Sequence, residues 1–132
     1  MKLLSILVCL FMLAGCAKSA PYDDEIMYDH ASELKDIVQI VDGEVKFGAN
    51  DGLSSDAIIQ KALKTRPNAL DSFSPYSVEF AISGDDAVVL MCDGNVGLIE
   101  DAGCTAKVER ILWSNPEPDT CRFALDTSQM CY

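Results

Sequence analysis

Residues 26–132 predict a single α+β domain, with two N-terminal helices packed on one face of a small antiparallel sheet and the C-terminal region tied by disulfides. Three observations carry that expectation. Apolar residues recur at steps of three and four before Pro67, they alternate or run together in short bursts after Tyr76, and Cys92, Cys104, Cys121 and Cys131 all fall late in the chain.

The first helix is read from Met27, Ala31, Leu34, Val38 and Val41, with Glu33, Lys35, Asp36 and Gln39 outside the stripe. Asp42-Gly43, set between apolar and β-branched residues, is a hairpin cue. The helix is therefore expected over 29–36 or slightly beyond, with a turn at Asp42-Gly43. The second helix, 57–66, has Ile58, Ile59, Ala62 and Leu63 on one side, capping residues Ser54, Ser55 and Asp56 before it, and Pro67 as its stop. Tyr76, Val78, Phe80 and Ile82 alternate with polar or small residues, the period of a half-buried strand. Residues 87–91 (AVVLM) suit a central strand, and 96–99 a third, with turns at 83–86 and 93–95. Residues 121–125 (CRFAL) are the expected fourth strand, reached through 105–113, which fits either helix or strand, and a proline-containing loop.

The start of the chain reads as an export signal. Met1-Lys2 is followed by an apolar run (LLSILVCLFMLA) of about 12 residues, the length of a secretory core and short of the ~20 a spanning helix needs. It ends in Leu13-Ala14-Gly15-Cys16, which resembles the lipobox of bacterial lipoproteins. The alternative cleavage after Ala20, at Lys18-Ser19-Ala20, is a poor small-residue site. The resemblance covers residues 1–16 and implies a signal peptide of residues 1–15, an acylated Cys16, and a tether over 16–25 that holds the domain to a lipid bilayer. Ala17 after the cysteine implies outer-membrane sorting, with the domain in the bacterial envelope and facing the periplasm. Two or three acyl chains supply the stable anchoring that one cannot.

Cleavage would remove Cys9, and acylation would occupy Cys16. Four cysteines then remain, with ~3 pairings open to them in an oxidising compartment. The meander of strands places Cys92 and Cys104 at opposite ends of a hairpin, which disfavours joining those two.

The formal charge is −11, and becomes about −12 once Lys2 is lost. A surface so acidic excludes nucleic acid as a partner and suits a basic protein. His30 is the only histidine, so it would have to serve any Ser-His-Asp or Cys-His scheme, and it sits beside the tether, where a packing role is expected. One histidine and oxidised cysteines leave few zinc ligands. Asp93-Gly94-Asn95 has a calcium-loop look, but the position where a bidentate glutamate belongs is Cys104. No catalytic residue, metal or cofactor is expected. The candidate partner contacts are Trp113 and the paired acids Asp85, Asp86, Glu100 and Asp101. Trp113 is weighed as an exposed anchor or, preferably, a core plug beside a disulfide. The expectation is a non-enzymatic binding lipoprotein, in its sharpest form an inhibitor or immunity protein against a cationic envelope-acting enzyme. The alternative is an accessory structural lipoprotein of a secretion or assembly complex.

Overall fold

The computed structural model describes residues 21–131; the signal segment, Cys16 and the first residues of the tether lie outside them. Helix α1 (Asp24–Phe47) and helix α2 (Ser55–Leu63) precede a short 3-10 turn at Asp71–Phe73. Strands β1 (Ser77–Ser83), β2 (Asp86–Asp93), β3 (Val96–Ala102) and β4 (Arg110–Ile111) follow, and a terminal turn of helix, α3 (Thr127–Met130), ends the chain. The sheet is antiparallel in the order β1-β2-β3-β4. The expected α+β architecture is what the chain adopts.

Helix α1 is longer than the sequence reading at both ends. Asp23 caps it by accepting from the Ile26 amide at 3.0 Å, so Asp24 and Glu25 belong to the helix and not to a tether. Tyr22, also assigned to the tether, donates its hydroxyl to Asp93 at 2.9 Å and packs edge-on to Tyr76. At the other end the helix runs straight through Asp42-Gly43, overturning the turn expected there. The apolar stripe continues to Val45, and Asp42 is tied into the sheet: its Oδ1 accepts from the Ala87 amide at 2.8 Å and its Oδ2 from Lys46 at 2.6 Å. A helical stripe of four turns outweighs a dipeptide cue that is worth something only where the flanking residues can pair as strands. Helix α2 opens under the Ser54 hydroxyl, which accepts from Ala57.

Both hairpin turns are two residues long, Gly84-Asp85 and Gly94-Asn95, with glycine at the first central position in the left-handed region (φ 63° and 58°) that tight hairpins of this kind require. The alternation of β2 then sorts its side chains. Ala87, Val89 and Met91 join Met27, Leu34, Val38 and Val41 of α1, Phe73 and Ile99 in the main core. Val88, Leu90 and Cys92 face away from the helices and are nevertheless buried.

What buries that second face is the C-terminal strap, residues 121–131. It starts where the Cys121 amide donates to the Asn95 carbonyl, at the β2–β3 turn. It is bonded through Cys92–Cys121 and Cys104–Cys131, whose Cα atoms lie 5.7 and 5.5 Å apart, and Thr127 donates to the Ser83 carbonyl at the opposite end of the sheet. The pairing agrees with the disfavouring of Cys92–Cys104. The strap is not the fourth strand that CRFAL suggested. The amides of Ala124 and Leu125 are taken by Glu100 Oε1 at 2.7 and 2.8 Å, and β4 comes instead from Arg110–Ile111.

One glycine on each face permits the close approach. A Cβ on Gly103 would meet the Val38 carbonyl of α1 at 2.6 Å, and one on Gly97 would meet the Thr120 carbonyl at the head of the strap at 2.6 Å.

Candidate functional site

The residues named from sequence as partner contacts do not form one exposed patch. Glu100 and Asp101 are neighbours on β3 and point to opposite faces of the sheet, each with no solvent exposure. Glu100 pairs with Arg110 through Oε2 while Oε1 holds the strap amides. Asp101 faces α1, where Lys35, taken as an outward residue in the sequence reading, lies buried and donates to Asp101 Oδ1 at 2.8 Å, to the Ala102 carbonyl at 2.8 Å and to Thr105. The amides of Ala102 and Glu109 also donate to Asp101 Oδ1. Burial, offset only partly by Lys35 and these amides, pushes the Asp101 carboxyl above its usual range. Both carboxylates are therefore internal fasteners, which corrects the expectation of an exposed Glu100-Asp101 pair.

Asp85 stands exposed at the β1–β2 turn, but Asp86 bonds Lys46 at 2.9 Å. Burial pulls the Lys46 ammonium down, yet Asp42 and Asp86 outweigh it and hold it above its ordinary value. Trp113 is 1% exposed, its indole edge-on to Tyr28 at 5.1 Å and its Nε1 donating to Asp24 at 2.9 Å. It is the core plug and not the anchor, and what it plugs is the joint between the start of α1 and the end of β4.

His30 packs its ring 5.2 Å from Phe73 and 5.9 Å from Tyr76. The Asp93 carboxylate is engaged by Tyr22, whose phenol is pushed up to about 12 by burial and by that bond to Asp93. The Asn95 amide donates to Asp119 at 3.1 Å, in a tight hairpin. Asp86, Cys104 and Cys131 converge closely enough to share an ion, but both sulfurs are bonded to each other, which removes the thiolates such a site would need.

The surface feature that sequence reasoning missed lies on α1. At 100° per residue, Glu25, Asp29, Glu33 and Asp36 fall within an arc of about 80° on the side opposite the apolar stripe. All four are exposed. Among the described residues no ion pair involves any of them. Four of the described cations are paired elsewhere, Lys35 on Asp101, Lys46 on Asp42 and Asp86, Lys61 on Glu44 and Arg110 on Glu100, while Arg66 lines a shallow pocket beside Glu33 and Asp36 and Ser72 donates to Glu33 at 2.7 Å. Like charges four residues apart destabilise a helix by ~0.2–0.5 kcal/mol a pair, so the face is kept against a small local cost. Its signal in the sequence was the spacing 25, 29, 33, 36; assigning Glu25 to the tether hid the first member.

Among the described residues no helix is long and apolar enough to cross a membrane. No family model matches the chain, and neither a curated protein nor a solved structure resembles it significantly.

Proposed function

We propose that this chain is a lipid-anchored protein of the bacterial envelope whose acidic domain binds a basic protein, acting as an inhibitor or immunity partner of a cationic envelope-acting enzyme. The anchor rests on the lipobox resemblance at Cys16, and two disulfides accord with an exported domain. The observation that carries the binding reading is the acidic face of α1, where Glu25, Asp29, Glu33 and Asp36 are exposed and none is held in an ion pair among the described residues. Four carboxylates on one rigid helix make a fixed negative field that speeds encounter with a cationic surface and weakens steeply with salt.

The test is association with a basic muramidase, measured on the full chain in detergent at low and high salt. Replacing all four acids (Glu25→Gln, Asp29→Asn, Glu33→Gln, Asp36→Asn) should slow association by about tenfold at low salt and flatten the salt dependence. Unchanged association would sink the binding reading. Separately, Cys16→Ser should abolish fatty-acid labelling; a label that persists would remove the anchor.

A further inference from the structure

We propose that the free edge of β1 is the seat of the basic partner, and that it takes an extended segment alternating apolar and basic residues as a fifth strand of the sheet. This rests on the reading of the protein as a binder of basic proteins and names the surface and the mode.

The sheet order leaves β1 with one neighbour, β2. Ser83 and Asp86 flank a two-residue turn and so form a pair that exchanges both backbone bonds. Counting back by twos, Val78, Phe80 and Ile82 direct their N–H and C=O groups away from β2. Few of the devices that usually close an edge are present: the seven residues (SVEFAIS) contain no lysine and no proline, the register against β2 is unbroken from Ser77 to Ser83, and the one charge is Glu79. No residue of β1 is buried, whereas most of β2 is. The other edge of the sheet, β4, is only two residues long.

Beside this edge lies a groove of ≈ 400 Å³, lined by Ile59 and Leu63 of α2, by Leu70, and by Val78 and Phe80 of β1 itself. Its titratable lining groups are Asp56 and Glu79, both acids. An added strand obeys the same two-residue period as β1. Its side chains beside Val78 and Phe80 therefore enter the groove, against Ile59, Leu63 and Leu70, and those between them stand on the opposite face beside Glu79, where a lysine or arginine pairs across strands. A second copy of this chain fits less well. It would bring two molecules of formal charge −11 together and set the two Glu79 side chains diagonally across the new pair.

The experiment titrates the full chain in detergent with two capped peptides of equal charge, one of four Val-Lys repeats and one of four Gly-Lys repeats. The Val-Lys peptide is expected to bind at least about tenfold tighter, since only it fills the groove. It should also slow amide exchange at Val78, Phe80 and Ile82. N-methylating one alternate set of its residues should abolish binding, and N-methylating the other should leave it intact. Val78→Pro, which removes an outward N–H and none of the bonds to β2, should weaken it likewise. Equal, salt-sensitive binding of both peptides would overturn the edge site while sparing the acidic-surface reading. Failure of both peptides to bind at low salt would overturn both. Protection of the three amides in the chain alone, together with a dimeric mass, would give the edge to a second copy and overturn the proposal.

Discussion

The face of the sheet turned toward α1 and α2 is sealed by apolar side chains: Leu34, Val38 and Val41 of α1 have no solvent exposure and meet Val89 and Met91 of β2. The opposite face carries Val88, Leu90 and Cys92, equally buried, beneath a strap whose only regular structure is the four residues of α3. That strap is held by two disulfides, by the two amides given to Glu100 and by Thr127 on Ser83. One layer is held by area removed from water, the other by a few specific ties. A domain this small has core enough for one layer of helices; the second layer is closed covalently.

The difference is broken most severely on the helix side. Leu34→Ala removes a side chain with no exposure from the centre of α1, and should cost about 2–5 kcal/mol depending on how far the cavity collapses. Because α1 contacts α2, β2 and β3 alike, the loss should appear as one cooperative shift of the denaturation midpoint with an unchanged slope. Two separated transitions would mean that the helix layer is not the common support of the fold.

The strap side should fail differently. Replacing Cys92 and Cys121 together by alanine opens a loop of sequence separation 29, and chain-entropy arguments put the cost at about 2–4 kcal/mol. The expected signature is local: amide exchange at Ala124 and Leu125 should quicken well before exchange in α1 does. If α1 and the strap lose protection together, the two faces form one cooperative unit and the strap is no more separable than the helices.

The same contrast explains what was legible in the sequence. The helix layer and the hairpins announced themselves through period, because burial of a repeating stripe must repeat in the residues that make it. Asp42-Gly43 misled because a local turn signal carries no information about the Ala87 amide, 45 positions away, that fixes Asp42 within a helix. The strap carried only its cysteine count. CRFAL has the composition of a strand, but what decides its fate is that Glu100 claims two of its amides, and nothing local says so. Glu100-Asp101 looked like a surface pair because both are charged. Their position at the end of an apolar strand (VGLIEDA) was the cue that one must point into each layer. The acidic face of α1 was legible in its spacing, once the helix is begun at Asp24 rather than within it.

The finest probe of the two faces is Asp101, the carboxylate turned toward the helices. Its Oδ1 accepts from Lys35 and from two amides, whereas Oδ2 is buried without a partner, so a proton taken up by the folded chain belongs on Oδ2. Burial raises the folded-state value above that of the unfolded chain, where an aspartate titrates near ~3.9. The folded state therefore binds the proton more readily. The stability this contributes is fully present below the unfolded value and is lost as pH rises through the folded one. Asp101→Asn cannot titrate, so wild type should gain stability relative to the variant as pH falls from neutrality into the acid range, against the usual sense for a salt-bridged carboxylate. Urea midpoints of the two proteins across that range measure it. Lys35→Met, which removes the ammonium that holds the carboxyl down, should move the upper edge of the window to higher pH. A difference between wild type and Asp101→Asn that stays constant with pH would show that Lys35 and the amides fully compensate the burial of this carboxylate.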